Sequence, residues 1–209
     1  MIFKTSKTKT GTDREAERAT ERALIQRCKN GDIGAFDELF KRYEKRVFSC
    51  AYHISGNHND ASDITQEAFI RVFNSIGTFR GDANFLTWIY RIVTNVYLDD
   101  RKKSKAHRQI SLDEFIDLEE NSVSRQIVDE CPLPAEIVES KERAAVVREA
   151  IATLPDYQRA IVTLYHVDDL SYDEIAEILR LPIGTVKSRL NRARLALAEI
   201  LGDRPELFG

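Results

Sequence analysis

At 209 residues, 43% hydrophobic and 31% charged, the chain is long enough for two small globular cores or one larger one. Its net charge of -3 argues against a protein that coats nucleic acid indiscriminately, so any DNA binding must rest on local patches. Cys28, Cys50 and Cys131 are widely spaced and form no CxxC pair or Cys/His ligand set. Neither a disulfide framework nor a structural zinc is indicated, and reduced cytosol is the natural setting.

The amino terminus, MIFKTSKTKTGTDRE, is Lys/Thr-rich and lacks an apolar core of signal-peptide length. No later segment approaches the ~18 uninterrupted apolar residues of a membrane span. A soluble, unexported, cytoplasmic protein with no membrane insertion of its own is therefore expected. Residues 1–20 are assigned to a tail, disordered in composition to about residue 12 and turning helical from Asp13 in DREAERATERALIQRCKNG. Gly31 is the expected C-cap of that helix and Asp32 the cap of the next.

In DIGAFDELFKRYEKRVFSCAYHIS the apolar positions Phe36, Phe40, Tyr43, Val47, Ala51 and Ile54 keep steps of three and four, which predicts a long amphipathic helix ending before Gly56. A third helix, DASDITQEAFIRVFNS, is predicted with Asp60 as its cap and Ala61, Ile64, Ala68 and Val72 as its inner stripe. Asp60, Asp63, Gln66, Glu67 and Arg71 then point outward as a mainly acidic ridge. On its own such a ridge is also what a solvated helix face looks like.

Residues 79–108, FRGDANFLTWIYRIVTNVYLDDRKKSKAHR, begin as a loop with Gly81 and continue as a helix that buries Phe85, Ile89, Ile92 and Val96. Thr87, Arg91 and Asn95 repeat every four residues on another face, next to Phe79, Phe85 and Trp88. Hydrogen-bonding groups beside aromatic rings are what is needed to hold a base drawn out of a duplex, by replacing its lost stacking and reading its exposed edge. Core filling is the other use of these rings, for Phe85 and part of Trp88 in particular. Arg101, Lys102, Lys103, Lys105 and Arg108 form a basic run suited to phosphates.

The stretch 109–139 that follows is strongly acidic and contains Pro132 and Pro134, a composition of linkers. From about Ala135 or Ser140 a second helical unit is predicted. Val147, Ala150, Ile151 and Leu154 form a stripe that Pro155 ends, and YQRAIVTLYHV leads into LSYDEIAEILRLPIGTVKSRLNRAR. There Ser171 and Glu174 make a capping box, Ile175, Ala176 and Leu179 give an apolar stripe, and Pro182 re-sets the chain for a second short helix.

Val186, Leu190, Ala193 and Leu197 face inward on that second helix, leaving Thr185, Lys187, Ser188 and Asn191 outside. From Arg180 to Arg194 the charges are all basic (Arg180, Lys187, Arg189, Arg192, Arg194), whereas Asp168, Asp169, Asp173, Glu174 and Glu177 precede them. Positive charge therefore sits on the helix that would enter a DNA groove.

SYDEIAEIL followed by LPIGTVKSRLNRAR resembles the carboxy-terminal promoter-binding domain of bacterial sigma factors of the extracytoplasmic-function (ECF) group, and LPDYQRAIVTL resembles the start of that domain. Phe79, Arg80, Gly81, Phe85, Thr87, Trp88, Arg91, Asn95 and Asp99 resemble the sigma region that melts and reads the -10 element. DITQEAFIRVF resembles the segment that docks on the clamp helices of the largest polymerase subunit. The resemblance spans roughly Leu24 to Leu201.

It implies an all-α protein of two small helical domains, 21–108 and 140–203, joined by the flexible acidic linker. It also implies core RNA polymerase as partner, through the clamp helices and the flap of the second subunit, together with promoter DNA and an anti-sigma factor. No cofactor, metal or catalytic residue is implied.

By the same resemblance Asp60, Asp63, Gln66, Glu67, Phe69 and Arg71 would contact core polymerase. Phe79, Arg80, Asn84, Phe85, Thr87, Trp88, Arg91, Asn95, Arg101 and Lys102 would contact the -10 element. Thr185, Lys187, Ser188, Arg189, Asn191, Arg192 and Arg194 would contact the -35 element.

Two other readings compete. A helix-turn-helix regulator acting without core polymerase accounts for 170–194 but not for the aromatic, Arg and Asn block. A metal hydrolase built on His53, His58, Asp60, Asp63 and Glu67 lacks any HExxH or HD pair, nucleophile elbow or phosphate loop.

Overall fold

A computed structural model describes residues 11–112 and 135–202, and the backbone elements among these are all helical. Helix α1 (Gly11–Lys29) is followed by α2 (Ile33–Ser55), α3 (His58–Ser75), a 3-10 turn (Ile76–Thr78) and α4 (Phe85–Leu112). Helices α5 (Ala135–Thr153), α6 (Asp156–His166), α7 (Tyr172–Leu179) and α8 (Ile183–Gly202) complete the described chain. The tail assigned to 1–20 is thus helical from Gly11 onward. At the other junction α4 continues through 109–112 and α5 starts at Ala135, so the linker shortens from both ends, and 113–134 lie outside the described residues.

The helix ends follow local chemistry. Asp32 caps α2, its Oδ1 accepting from the Ala35 amide at 3.1 Å, while Arg27 pairs with its other oxygen at 2.7 Å. Gly56 closes α2 at φ 85°, a left-handed conformation that lets its N–H return to the Tyr52 carbonyl at 2.8 Å. Asn57, not Asp60, caps α3. Its backbone is extended (φ -144°, ψ 158°), and its Oδ1 accepts from the Asp60 amide at 2.8 Å. With the helix already under way by His58, Asp60 stands in the first turn, where a carboxylate suits the helix dipole.

The inner stripe of α3, Ala61, Ile64, Ala68 and Val72, is buried. On α2 the deepest positions include Ala35, Leu39, Val47, Cys50, Ala51 and Ile54, while Phe36 and Phe40 are only partly buried and pack on Phe73 and Phe69.

The two halves of the chain pack on each other. Helix α6 lies against α2 and α4, and α7 against α4, and the buried apolar residues form one cluster across both halves. Tyr90 on α4 donates to Asp168 Oδ1 at 3.0 Å, and Tyr97 to Asp156 Oδ1 at 3.2 Å. Arg159 on α6 reaches the Ile54 carbonyl of α2 at 3.4 Å. Burial pushes the Tyr97 hydroxyl up to about 12 and raises the Cys50 thiol, which lies beside Asp168. Every residue from Phe85 to Tyr90 is buried because α4 is covered by α2 and α3 of its own half and by α6 and α7 of the other.

Candidate polymerase and promoter interfaces

The acidic ridge on α3 is partly tied down. Asp60 Oδ2 receives Arg101 Nη2 at 2.9 Å, and the Arg101 guanidinium also lies over the Tyr97 ring at 5.5 Å. Arg101, placed by sequence among the phosphate contacts, is therefore engaged within the fold. Glu67 holds Arg71 at 2.7 Å, and Arg71 extends to Asp99 at 3.5 Å. The bond from Glu67 raises the Arg71 pKa further above its ordinary value.

Asp63 and Gln66 are exposed, and among the described residues Asp63 makes no ion pair. Phe69 does not belong to the exposed surface. It is 6% exposed and packs on Phe40, with ring centroids 4.5 Å apart. The next residue, Ile70, is 56% exposed and shares a helix face with Asp63 and Gln66, as does Phe73 at 50%. Those two apolar residues were missed by the sequence reading. Counting helical turns from Asp63 would have found Ile70 at i+7.

Phe79, Phe85 and Trp88 form a triangle of rings with centroids 5.1, 5.3 and 5.6 Å apart. All three are buried, so the core-filling use of these rings is realised in this conformation. Thr87, expected on a displayed face, is buried as well at 4%. It lines a cleft of about 510 Å³ with Asp168, Asp169 and Glu174 of the second half opposite. Of the residues expected at the -10 element, the loop and α4 present Arg80, Asn84, Asn95 and Lys102 to solvent, with Arg91 half-exposed, and Asp82, Asp100 and Lys103 are exposed beside them. Asn84 also caps α4, its Oδ1 accepting from the Leu86 amide at 3.0 Å. The side chains of Lys105 and Arg108 lie outside the described residues.

The hairpin of α7 and α8 is built as the sequence implied. The Ser171–Glu174 capping box is present on α7, with Glu174 Oε2 accepting from the Ser171 amide at 2.9 Å. Arg180 turns the chain at φ 52°, and the Pro182 carbonyl accepts from the Thr185 and Val186 amides to start α8. Val186, Leu190 and Ala193 are buried, and Leu197 is partly so.

Lys187, Ser188, Asn191, Arg192 and Arg194 are exposed, and Thr185 and Arg189 are half-exposed. Most of the cations have aromatic supports. Lys187 lies over Tyr172 at 5.6 Å, Arg189 over Tyr157 at 5.1 Å and Arg194 over Tyr165 at 4.9 Å. Arg194 Nε also donates to His166 Nε2 at 3.2 Å. Burial, with the Arg194 charge second, holds the His166 pKa below its ordinary value.

Among the described residues, an all-helical arrangement with an aromatic-backed loop in the first half and a basic helix-turn-helix in the second defines a DNA-binding protein of the helix-turn-helix class. Family comparison agrees with each half in turn. Residues 39–107 match the description "Sigma-70 region 2" and residues 144–197 match "Sigma-70, region 4". The ECF RNA polymerase sigma factor SigW of Bacillus subtilis is 38% identical over 179 residues, covering 86% of this chain and 95% of that protein. The ECF RNA polymerase sigma-E factor of Escherichia coli K12 is 38% identical over 184 residues, covering 87% and 94%.

The chain belongs to the ECF RNA polymerase sigma factors. Among solved structures, the sigma factor RpoE in complex with the anti-sigma factor NepR from Bartonella quintana superposes with a TM-score of 0.61 at 24% identity, covering 80% of this chain and 96% of that one. CnrH in complex with the cytosolic domain of CnrY gives 0.59 at 21% identity, covering 88% and 97%. Both agree with the fold.

Proposed function

We propose that this sigma factor binds core RNA polymerase, directs it to promoters by reading -35 and -10 elements, and assists melting at the -10 element. The observation that carries the reading is the basic outer face of α8, where Lys187, Ser188, Asn191 and Arg192 stand exposed beside a capped and tightly packed α7. Asn191 and Lys187 can reach base edges in a major groove, while the surrounding arginines suit phosphates. On the first half Arg80 and Asn84 supply hydrogen bonds and charge in the loop of the Phe79, Phe85 and Trp88 cluster, and Arg91, Asn95 and Lys102 continue them along α4.

Core polymerase docks on the α3 face of Asp63, Gln66, Ile70 and Phe73, with Glu67 and Arg71 at its edge, and on the second unit through the flap of the other large subunit. The functional units are α1–α4 and α5–α8, with the acidic stretch between them as tether. The chain has no catalysis of its own, because the polymerase supplies the chemistry, and it works in the cytoplasm. The solved relatives bound to anti-sigma factors support a similar restraint on this chain.

The test is transcription by purified core polymerase with and without the chain, on templates bearing or lacking each promoter element. Promoter-specific transcripts that require the chain and both elements are expected. If the chain alone binds duplex promoter with full specificity and core adds nothing, it is a regulator that acts without core.

A further inference from the structure

Helix α6 ends on Tyr165 and His166, and α7 begins with Tyr172 directly after its Ser171 cap. The turn between them doubles back: Asp169 takes a left-handed conformation at φ 57°, and the Leu170 amide returns to the Leu164 carbonyl at 3.1 Å. The Tyr165 and Tyr172 rings are thereby stacked, with centroids 5.1 Å apart and planes 15° from parallel. Both are half-buried and packed on the apolar core, so the pair stands on a fixed base.

Lys187 and Arg194 are exposed two turns apart on α8, about 10.5 Å by helical rise and near one line of the helix. Each meets a different ring of the pair, Lys187 at 5.6 Å from the centre of Tyr172 and Arg194 at 4.9 Å from that of Tyr165. His166 pins Arg194 further. Its ring stands edge-on to Tyr165 at 4.8 Å, and its Nε2 accepts from Arg194 Nε at 3.2 Å. The electron-rich face of a ring attracts a cation, so these contacts restrict two long side chains that would otherwise lose their rotamer freedom only on meeting DNA.

We propose that the stacked Tyr165 and Tyr172 are positioning residues for -35 recognition: they hold Lys187 and Arg194 at a fixed spacing along α8, and both cations keep their rings when DNA is bound. The inference rests on the -35 reading above. It adds to the recognition helix two residues from α6 and α7 that act through the cations and not by touching DNA themselves.

The experiment uses holoenzyme assembled from core polymerase and the full chain, with a duplex probe carrying the -35 element. Tyr172→Phe is compared with Tyr172→pentafluorophenylalanine, which has nearly the same shape but an electron-poor face that no longer attracts a cation. The fluorinated variant is expected to bind about 2- to 5-fold more weakly than Tyr172→Phe, and Lys187→Ala is expected to abolish that difference. The same pair of replacements at Tyr165 should differ by a similar factor, and Arg194→Ala should abolish it. Tyr172→Phe keeps the ring and should retain the binding.

Equal binding by the Phe and fluorinated variants overturns the proposal, and so does a difference that persists in the Lys187→Ala background. Tighter binding by the fluorinated variant overturns it as well, because the rings would then be holding the cations back. A Tyr172→Phe variant as weak as the fluorinated one shows that the hydroxyl itself acts on DNA, which also overturns it. Asn191→Ala and Arg192→Ala serve as reference variants. If they weaken binding while the ring variants match wild type, the positioning role falls and the -35 reading stands. If they and Lys187→Ala all match wild type, the -35 reading itself fails and takes the proposal with it.

Discussion

Truncating Asn191 and Arg192 separately distinguishes base reading from phosphate contact on one helix. Both are exposed on α8, one residue apart, and neither takes part in the ring contacts that support Lys187, Arg189 and Arg194. Asn pairs best with adenine through N6 and N7, and a good bidentate contact discriminates by ~1–3 kcal/mol, or roughly 5- to 150-fold. Asn191→Ala should therefore weaken a promoter with adenine at one -35 position by that factor and leave promoters substituted there almost unaffected.

Arg192→Ala should act alike on every sequence, flattening the salt slope by ~0.9 for one lost phosphate contact, which is about 3.5-fold between 50 and 200 mM salt. Arg189→Ala and Arg194→Ala should show a similar slope change. Each should also lose about 0.5–1 kcal/mol of fold stability through the ring it covers. The assay is holoenzyme binding to a set of promoters substituted singly across the -35 element, at two salt concentrations. If Asn191→Ala weakens all promoters equally, base reading does not belong to Asn191 and passes to Lys187 and Ser188.

Three further outcomes are expected. Asp63→Arg with Glu67→Arg should abolish co-elution with core polymerase while helicity is retained, since both positions are solvent-facing, and unchanged co-elution would contradict the proposed polymerase face. Burial between the two halves raises the Asp168 carboxyl above its ordinary value against the opposing effects of Cys50, Tyr90, His53 and Arg46. Its stabilising contribution is thus present below the ordinary carboxylate range and lost as pH rises through the raised value. Asp168→Asn should accordingly gain more in melting temperature over wild type at pH 7.5 than at pH 5, and an equal difference at both would refute the linkage. Ser171→Ala removes one side of the capping box and should cost ~1 kcal/mol in thermal or denaturant unfolding.

Much of the helical order was readable from sequence because local signals coincide there. Gly56, Asp32 and the Ser171–Glu174 pair each satisfy a helix end by their own chemistry, and the predicted positions are the observed ones. Asn57 and Asp60 were harder to separate. Both residue types cap helices, and the choice depends on where the backbone becomes extended.

Phe69 was misassigned because the buried side of α3 is wider than one stripe: Phe40 on α2 reaches round to cover it and leaves Ile70 and Phe73 to solvent. Thr87 was expected on display for a different reason. The periodicity of α4 cannot reveal that α7 and the Asp168 turn cover a second face, because that packing joins residues some eighty positions apart. Arg101 reads as part of a phosphate run until Asp60 and Tyr97 are brought beside it by the fold.

The central claim is that this chain gives core RNA polymerase its promoter choice. Open-complex formation by purified core on a promoter with cognate -35 and -10 elements, followed by permanganate reactivity of unpaired thymines, measures it most directly. Reactivity around the -10 element is expected only when core and chain are both present, reduced by Asn191→Ala at the -35 adenine and by Asn95→Ala at the -10 element. Melting by core without the chain, or an equal response on a template with both elements scrambled, would contradict the account.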